Sequence, residues 1–366
     1  MSFYKIIQNW KKRELDSYFN SVSSSEVKKV INKDKLAPDD FLALLSPEAG
    51  NHLEMIAQKA HDLTVQNFGK VIFLYAPLYL ANYCANKCVY CSFNVENDLT
   101  RRKLSLEEVK REAEVVAEKG IKHILILTGS SRKHTPVSYI KECVKILKDF
   151  FSSITIEIYP LQTDEYKELI EEGVDGLTLY QEVYNEEVYD KVHLKGPKTD
   201  YHFRLDGPER GCKAGMRNVN IGPLFGLDNW RKEAFWLGLH AQYLQDKYLS
   251  TTINVSLPRL QPSLGNFSPN FEVDDKSLVQ IMLSIRMFLP RVGINISTRE
   301  NAELRDNLIP LGVTKISAES NTVVGGYSSQ KGESQFSISD NRKVKAVKEM
   351  VNKKGYQPVF KDWHLF

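Results

Sequence analysis

The sequence predicts an α/β fold, a TIM-type (β/α)8 barrel with an N-terminal helical extension and a C-terminal tail. Three observations predict it. From residue 71 onward, β-rich runs alternate with helical segments, the β-rich runs number eight, and together they span roughly 250 residues, the size of such a barrel. The alternative is an open doubly wound sheet. No GxGxxG motif follows the first β-rich run, and this favours the barrel.

The first seventy residues are predicted to form helices. Ser46-Pro47-Glu48 is a good helix start, because serine caps the first turn and proline is tolerated within it. The amphipathic run after it continues to about Gly69. We therefore expect a helical extension over residues 1–70, the barrel over 71–320 and a segment that closes the barrel over 321–366.

The barrel elements follow in order along the chain. The strands are predicted at 71–80, 123–129, 154–160, 176–182, 218–224, 253–260, 293–299 and 315–320. Helices are predicted at 105–120, 138–150, 164–173, 233–248, 276–290 and 301–308, with a last helix near 341–354. The helix at 105–120 has a capping box, Ser105 with Glu108, and a terminal glycine. The polar stretch after the fourth strand predicts irregular or helical structure.

Composition and charge exclude several classes of protein. The chain has 49 basic and 46 acidic residues, a formal net charge of +3, and this near-balance gives no electrostatic footprint for nucleic acid or a membrane surface. No run of apolar residues is long enough for a transmembrane helix, and the start of the chain lacks the pattern of a signal peptide. We expect a cytoplasmic protein without nucleic-acid or membrane partners.

The barrel prediction places chemistry at the C-terminal ends of the strands. Polar or glycine-rich residues follow most of the predicted strands. They are the cysteine loop after the first strand, Thr128-Gly129-Ser130-Ser131, Tyr180-Gln181-Glu182, GPLFG (222–226), Pro258-Arg259, Ser297-Thr298-Arg299-Glu300 and Ser317-Ala318-Glu319-Ser320. Loops are often polar, but charged residues that directly follow apolar strands indicate a site.

Three of the five cysteines lie within eight positions, in CANKCVYC: Cys84, Cys88 and Cys91. Such clustering in a chain with few cysteines points to metal binding or catalysis before disulfides. A structural zinc site would need a fourth ligand at short spacing. Cys143 falls in a predicted helix and Cys212 in a distant connection, whereas the lone histidines His61 and His123 fit structural roles better. A non-catalytic zinc or iron–sulfur module remains a competing hypothesis.

The C-x3-C-x2-C spacing after a first strand resembles the radical S-adenosylmethionine (SAM) superfamily. The resemblance implies a [4Fe–4S] cluster held by the three cysteines, with one iron left free to chelate the amino and carboxylate groups of S-adenosyl-L-methionine. An electron from the cluster then cleaves SAM to methionine and a 5′-deoxyadenosyl radical.

The resemblance also implies a SAM site. Tyr90, before the last cysteine, matches the position that packs near the adenine, and Glu182 could accept hydrogen bonds from the ribose. Arg204 could pair bidentately with the methionyl carboxylate. Arg259 is predicted to serve SAM or the structure.

Longer stretches resemble one family, the 2-iminoacetate synthases, which are tyrosine lyases of thiamine biosynthesis. They are 77–94, 179–216, 221–231, 256–262, 296–320, 324–327 and 359–363. The resemblance implies cleavage of the Cα–Cβ bond of L-tyrosine to p-cresol and 2-iminoacetate, which passes to thiazole synthase. It also implies a flavodoxin or ferredoxin as electron donor.

The substrate site follows from this chemistry. A barrel-mouth arginine is the natural partner of the tyrosine carboxylate, and Arg299 at the end of the seventh strand is the candidate. Ser317, Ser320 and the Gly325-Gly326 turn lie where polar groups of the substrate could be held. Trp230 and Trp363 are predicted to be packing residues.

The chain departs from the family pattern at two positions. The family has Gly-Glu after the second strand, where the acid helps hold the methionyl amine, but this chain has Gly129 and then Ser130. Glu319 stands where a small residue is expected, and it could replace the missing acid or alter the substrate pocket.

Two related enzymes remain as alternatives. One is a tryptophan lyase. The other is the hydrogenase-maturation tyrosine lyase, which carries a C-terminal domain with a second cysteine-bound cluster. No cysteine follows Cys212 here, so cyanide and carbon monoxide production is not expected.

Overall fold

The computed structural model describes residues 2–264, 267–329 and 332–361. Within them, eight parallel strands form the barrel: β1 (Val71–Ala81), β2 (His123–Thr128), β3 (Ser153–Glu157), β4 (Gly176–Thr178), β5 (Asn218–Ile221), β6 (Thr252–Ser256), β7 (Gly293–Ile296) and β8 (Lys315–Ser317). Each strand pairs with the next, and β8 returns to β1 with Tyr75 opposite Ser317. This closure confirms the predicted barrel and excludes the open sheet.

The strands are apolar because a barrel buries both of their faces. In β1, Ile72, Leu74, Leu78 and Leu80 are each at most 1% exposed, and the apolar side chains of the other strands join the same core. Each such aliphatic side chain contributes about 1.5–3 kcal/mol through removal from water. The core thus fixes the strands and, with them, the positions of the loops that follow.

Helices surround the barrel and precede it. The extension contains α1 (Phe3–Trp10), α2 (Leu15–Ser21), α3 (Ser24–Ile31), α4 (Pro38–Leu44) and α5 (Leu53–Phe68). The barrel helices are α6 (Leu106–Glu118), α7 (Val137–Leu147), α8 (Thr163–Glu172), α9 (Glu186–Val192), α10 (Tyr201–Leu205), α11 (Gly207–Ala214), α12 (Trp230–Lys247), α13 (Asp275–Phe288) and α14 (Ala302–Leu308), and α15 (Val344–Lys353) lies in the C-terminal segment. The capping box of α6 is present as predicted.

The helix that the sequence predicts to start at Ser46 begins instead at Leu53, as α5. Ser46 starts a short 3-10 turn at Glu48–Asn51, because its hydroxyl accepts the amide of Ala49. The chain leaves helical geometry at His52 before α5 starts at Leu53. The predicted end is confirmed, since Gly69 terminates α5 with a φ of +66°.

Several strands end earlier than predicted, and the residues after them turn into the barrel mouth. The predicted fourth strand, 176–182, stops at Thr178, and Glu182 has a φ of +72°. The sequence analysis also missed β9 (Gln357–Val359), which pairs with the start of β1. Trp363 and the end of the tail lie outside the described residues, whereas Trp230 is buried as predicted.

The C-terminal segment is attached firmly to the barrel. Asp340 forms an ion pair with Arg305, and both side chains are only 1% exposed. Glu112 of α6 accepts the backbone amides of Tyr327 and Ser328 at 3.0 and 2.7 Å. These contacts hold the described residues between Tyr327 and Asp340 near the barrel. In the described ranges, no helix is long and apolar enough to cross a membrane.

Candidate active site

A cavity opens at the C-terminal ends of the strands. Its wall receives residues from the end of, or the loop after, each barrel strand, and it includes all three cysteines of the CANKCVYC motif. The wall also contains Ser130, Glu182, Arg204, Arg299, Ser317 and Ser320. Most of the site residues predicted from sequence therefore share one cavity at the predicted end of the barrel.

The cysteine loop is held in place by its backbone. Ala85 donates its amide to the Ser130 carbonyl at 2.8 Å, and Lys87–Cys88 form a short antiparallel ladder with His193–Lys195. The three cysteines are free, and Cys88 is buried. Neither Cys143 in α7 nor Cys212 in α11 lines the cavity, so the sequence inference that they are not ligands is consistent with the structure.

The thiols fit an iron–sulfur cluster. Burial raises the pKa of Cys88 to about 12, with a smaller repulsive contribution from the other two cysteines, and burial also raises the pKa of Cys91. Thiolates at these positions thus require nearby cationic charge, which iron supplies. In the described parts of the chain, no group of three or more Cys, His, Asp or Glu side chains is arranged so that it could hold a single metal ion. A cluster fits this spacing better than a single zinc ion, because each thiolate binds a different iron.

Gly129 allows β2 to approach the cysteine loop closely. A Cβ atom at this position would lie 2.3 Å from the carbonyl oxygen and 2.8 Å from the carbonyl carbon of Tyr83, the residue before Cys84. Because these are backbone atoms, they cannot shift away from the added methyl group unless the neighbouring Cys84 also moves. The glycine of the predicted Gly129-Ser130 pair therefore has a steric role in the site.

We expect Gly129→Ala to lose most of its bound iron while the barrel stays folded, because the added methyl group displaces Cys84. Iron and sulfide per chain after anaerobic reconstitution measure the effect. Gly50→Ala is the matched control, since its Cβ would meet only the flexible side chains of Gln280 and Lys276. Normal iron content in Gly129→Ala would contradict this steric role.

Glu182 lies at the centre of a buried charge cluster. Its Oε1 accepts Lys198 Nζ at 2.6 Å and Arg204 Nη2 at 3.3 Å. Burial raises the pKa of Glu182, but Lys198 and Arg204 outweigh burial and hold the pKa below its ordinary value. Arg204 also donates from Nε to the Tyr180 carbonyl at 2.6 Å. Glu182 therefore stays ionised. The sequence analysis missed Lys198.

Tyr90 is fixed beside this cluster. His193 Nδ1 lies 2.9 Å from the Tyr189 carbonyl, so Nδ1 carries the hydrogen and Nε2 accepts from the Tyr90 hydroxyl at 2.7 Å. Burial, with Lys198 and Arg204, lowers the pKa of His193 to about 2, and the ring is neutral. Tyr90 thus presents a held aromatic ring to the cavity.

Two sequence expectations are not met in the structure, and Arg259 takes the structural one of its two predicted roles and not the SAM-binding one. Arg259 pairs with Glu300 and Asp275 and does not line the cavity. Glu319 points to Lys119 and accepts the backbone amide of Val344, so it neither replaces the missing acid nor shapes the pocket. The Gly325-Gly326 turn packs on Arg102, Leu104 and Asn321 instead of the cavity.

Arg299 contributes a cationic side chain to the cavity wall. Its guanidinium lies 3.5 Å from the centroid of the Phe336 ring and forms no ion pair within the described residues. Nearby, Ser317 Oγ accepts the Thr298 amide at 3.1 Å. Among the described residues, three buried polar atoms of the wall have no hydrogen-bond partner: Thr128 Oγ1, Asn295 Oδ1 and Ser320 Oγ. Such atoms indicate that the cavity is built for a polar ligand.

Glu157, the last residue of β3, is a functional candidate that the sequence analysis missed. Its side chain lines the cavity and forms no hydrogen bond or ion pair in the described ranges. Burial, followed by repulsion from Glu182, raises the pKa of Glu157 to about 7, against attraction from Arg299, Arg204 and Lys198. The available signal was an acid inside an otherwise apolar strand, ITIEIYP.

We expect Glu157→Gln to stabilise the ligand-free chain at pH 8 but not at pH 4. In the unfolded chain this carboxyl ionises near 4.5, and in the folded chain near 7, so wild-type stability falls as the pH rises between these values. The penalty above pH 7 is about 3 kcal/mol. Denaturant unfolding at both pH values measures it, with the exposed Glu171→Gln as control. An equal effect of Glu157→Gln at both pH values would contradict the buried-carboxylate explanation.

The barrel, with three cysteines at its catalytic end, defines a radical SAM enzyme. The model of the radical SAM superfamily matches residues 78–235, and that of the biotin and thiamin synthesis associated domain matches residues 256–357. The 2-iminoacetate synthase of Escherichia coli (strain K12) is 38% identical over 98% of this chain and 96% of its own length. The chain belongs to the 2-iminoacetate synthase family, whose members are radical SAM lyases that use a [4Fe–4S] cluster and SAM.

Other comparisons agree with this class. The 3-methylornithine synthase of Methanosarcina acetivorans is 31% identical over 72% of this chain and 73% of its own length. The [FeFe]-hydrogenase maturase HydG from Carboxydothermus hydrogenoformans has a TM-score of 0.85 at 34% identity, covering 98% of this chain and 82% of its own. A second crystal structure of HydG has a TM-score of 0.87 at 30% identity, covering 98% of this chain and 79% of its own.

Proposed function

We propose that this lyase cleaves the Cα–Cβ bond of L-tyrosine to 2-iminoacetate and p-cresol, with 5′-deoxyadenosine and methionine as co-products. The observation that supports it most directly is Arg299, a guanidinium without an ion-pair partner in the described structure, which lines the same cavity as the three cysteines. Such a guanidinium suits a substrate carboxylate, because the planar fork pairs with both oxygens.

The cofactor residues are assigned as follows. Cys84, Cys88 and Cys91 would hold the [4Fe–4S] cluster. Tyr90, Ser130, Glu182 and Arg204 would contact SAM, with Glu182 held ionised for the ribose hydroxyls. When bound, the cluster and SAM supply the 5′-deoxyadenosyl radical that starts the reaction.

The substrate residues act on the amino acid. Arg299 would bind the tyrosine carboxylate. Ser317 and the Ser320 hydroxyl, which has no hydrogen-bond partner among the described residues, would hold its polar groups. Glu157 is close enough to Arg299 for the two charges to interact, and its raised pKa suits a group that takes a proton from the substrate ammonium. A neutral amine is the form from which hydrogen is removed at nitrogen. One hydrogen of tyrosine leaves in 5′-deoxyadenosine, so completing p-cresol takes one further electron and one proton, in addition to the electron that cleaves SAM.

The C-terminal segment would exclude water from the cavity. Gln335 and Phe336 belong to the cavity wall, and the segment is anchored on both sides of them, at Glu112 and at Asp340. A hydrolysable imine requires such a closed site. Its protected release fits transfer to thiazole synthase for the thiazole of thiamine, and a flavodoxin or ferredoxin would supply both electrons.

The test is anaerobic incubation of the reconstituted enzyme with SAM and each aromatic amino acid in turn. We expect p-cresol from tyrosine and no indole product from tryptophan. An indole product without p-cresol would make the enzyme a tryptophan lyase. One zinc per chain in place of iron and sulfide would favour a non-catalytic metal-binding module.

A further inference from the structure

Gln335 reaches the cysteine motif from a distant part of the sequence. Its side-chain Nε2 donates a hydrogen bond to Cys91 Sγ at 3.8 Å, across 244 positions of the chain. The distance is within the range for a hydrogen bond to sulfur, which is a larger acceptor than oxygen. This contact links the C-terminal segment to one of the three proposed cluster ligands.

The orientation of the amide is fixed by a second contact. The Tyr79 hydroxyl donates to Gln335 Oε1 at 2.7 Å, and this leaves the NH2 group directed at the sulfur. Tyr79 is a residue of β1 and only 3% exposed, and burial raises its pKa well above the ordinary value, so it remains a hydrogen-bond donor. The barrel strand therefore holds the amide toward Cys91.

The backbone around Gln335 is also held. Phe336 stacks on Arg299, and Ser339 donates its amide to the Thr298 carbonyl at 2.9 Å. Gln335 itself donates its amide to the Thr322 carbonyl at 3.4 Å. Together with the buried Arg305–Asp340 ion pair, these contacts keep the side chain over the cysteine loop.

We propose that Gln335 is a positioning residue that raises the reduction potential of the cluster through its hydrogen bond to Cys91. One-electron reduction adds a negative charge, part of which lies on the thiolate sulfurs. A hydrogen-bond donor to sulfur stabilises that charge and makes reduction easier. The inference rests on the proposed role of Cys91 as a cluster ligand, and it assigns to Gln335 an action on the cluster through the Cys91 sulfur.

The test is a redox titration of the reconstituted full chain, monitored by electron paramagnetic resonance and without substrate. Gln335→Met keeps the length of the side chain but removes the donor, and we expect a more negative midpoint potential. Gln335→Glu should lower it further, because a carboxylate cannot donate and adds a negative charge. Gln357→Met in β9, exposed at the opposite end of the barrel, should leave it unchanged.

Iron and sulfide content distinguishes a failure of the cluster-ligand assignment from a failure of the role proposed for Gln335. Wild-type protein that binds no cluster would overturn the ligand assignment and, with it, the role of Gln335. Full iron content in Gln335→Met with an unchanged or more positive potential would overturn the role of Gln335 alone. If Gln335→Met fails to retain the cluster, Gln335→Glu and Tyr79→Phe are titrated instead, and an unchanged potential in both overturns the role.

Discussion

Cys88→Ala is expected to abolish formation of 5′-deoxyadenosine while leaving the barrel folded. Cys88 is 5% exposed and lines the cavity, whereas its backbone pairs with His193 in the short antiparallel ladder. Truncation to alanine thus removes the ligand without removing the pairing that holds the loop. Two thiolates are insufficient to hold the cluster against exchange with solvent, so the open iron and the SAM site are lost together.

The measurement is 5′-deoxyadenosine released from SAM under strong reductant, alongside iron content and the circular dichroism spectrum. Cys143→Ala is the matched control, because Cys143 is fully buried in α7 and does not line the cavity. It should retain iron and SAM cleavage. Wild-type levels of 5′-deoxyadenosine from Cys88→Ala would refute the ligand assignment.

Arg299→Ala is expected to weaken tyrosine binding by roughly 10- to 150-fold, because a charge-assisted carboxylate contact contributes about 1.5–3 kcal/mol. SAM binding should be unaffected, since the proposed SAM contacts come from the cysteine loop and from residues after β2 and β4. Arg299→Lys should give intermediate affinity, because it keeps the charge but lacks the planar fork.

Calorimetric titration of the reconstituted, SAM-loaded protein with tyrosine under anaerobic conditions measures this effect. Arg291→Ala is the control, an exposed arginine that precedes the same strand. Equal tyrosine affinity in wild type and Arg299→Ala would remove Arg299 from the substrate site. Equal loss of SAM and tyrosine affinity would indicate a general disturbance of the cavity instead.

Sequence reasoning located the barrel and the cysteine motif because both are local signals. Each strand has its own apolar run, and the three cysteines have their own spacing. The barrel rule then placed the strand-end residues Glu182, Arg299 and Ser317 around one cavity, as the structure shows. Their roles toward SAM and tyrosine stay predictions.

The missed residues depend on long-range pairing. Arg259 was predicted to serve SAM or the structure, and the sequence could not decide between them because the acid that engages it, Glu300, follows a different strand and lies 41 positions away. Lys198 lies in a polar stretch with no local signal, and Gln335 reaches Cys91 only because the C-terminal segment folds back across the barrel. Glu157 was overlooked because an acid inside a strand is ordinarily a solvent-facing residue, whereas a barrel strand buries both faces.

The most direct test of the central proposal is the product ratio in one anaerobic reaction of the reconstituted chain with SAM, reductant and L-tyrosine. We expect one p-cresol for each 5′-deoxyadenosine, with 2-iminoacetate recovered as its hydrolysis product, glyoxylate. Formation of 5′-deoxyadenosine without p-cresol would show that SAM is cleaved but that tyrosine is not the substrate, and it would contradict the proposed function.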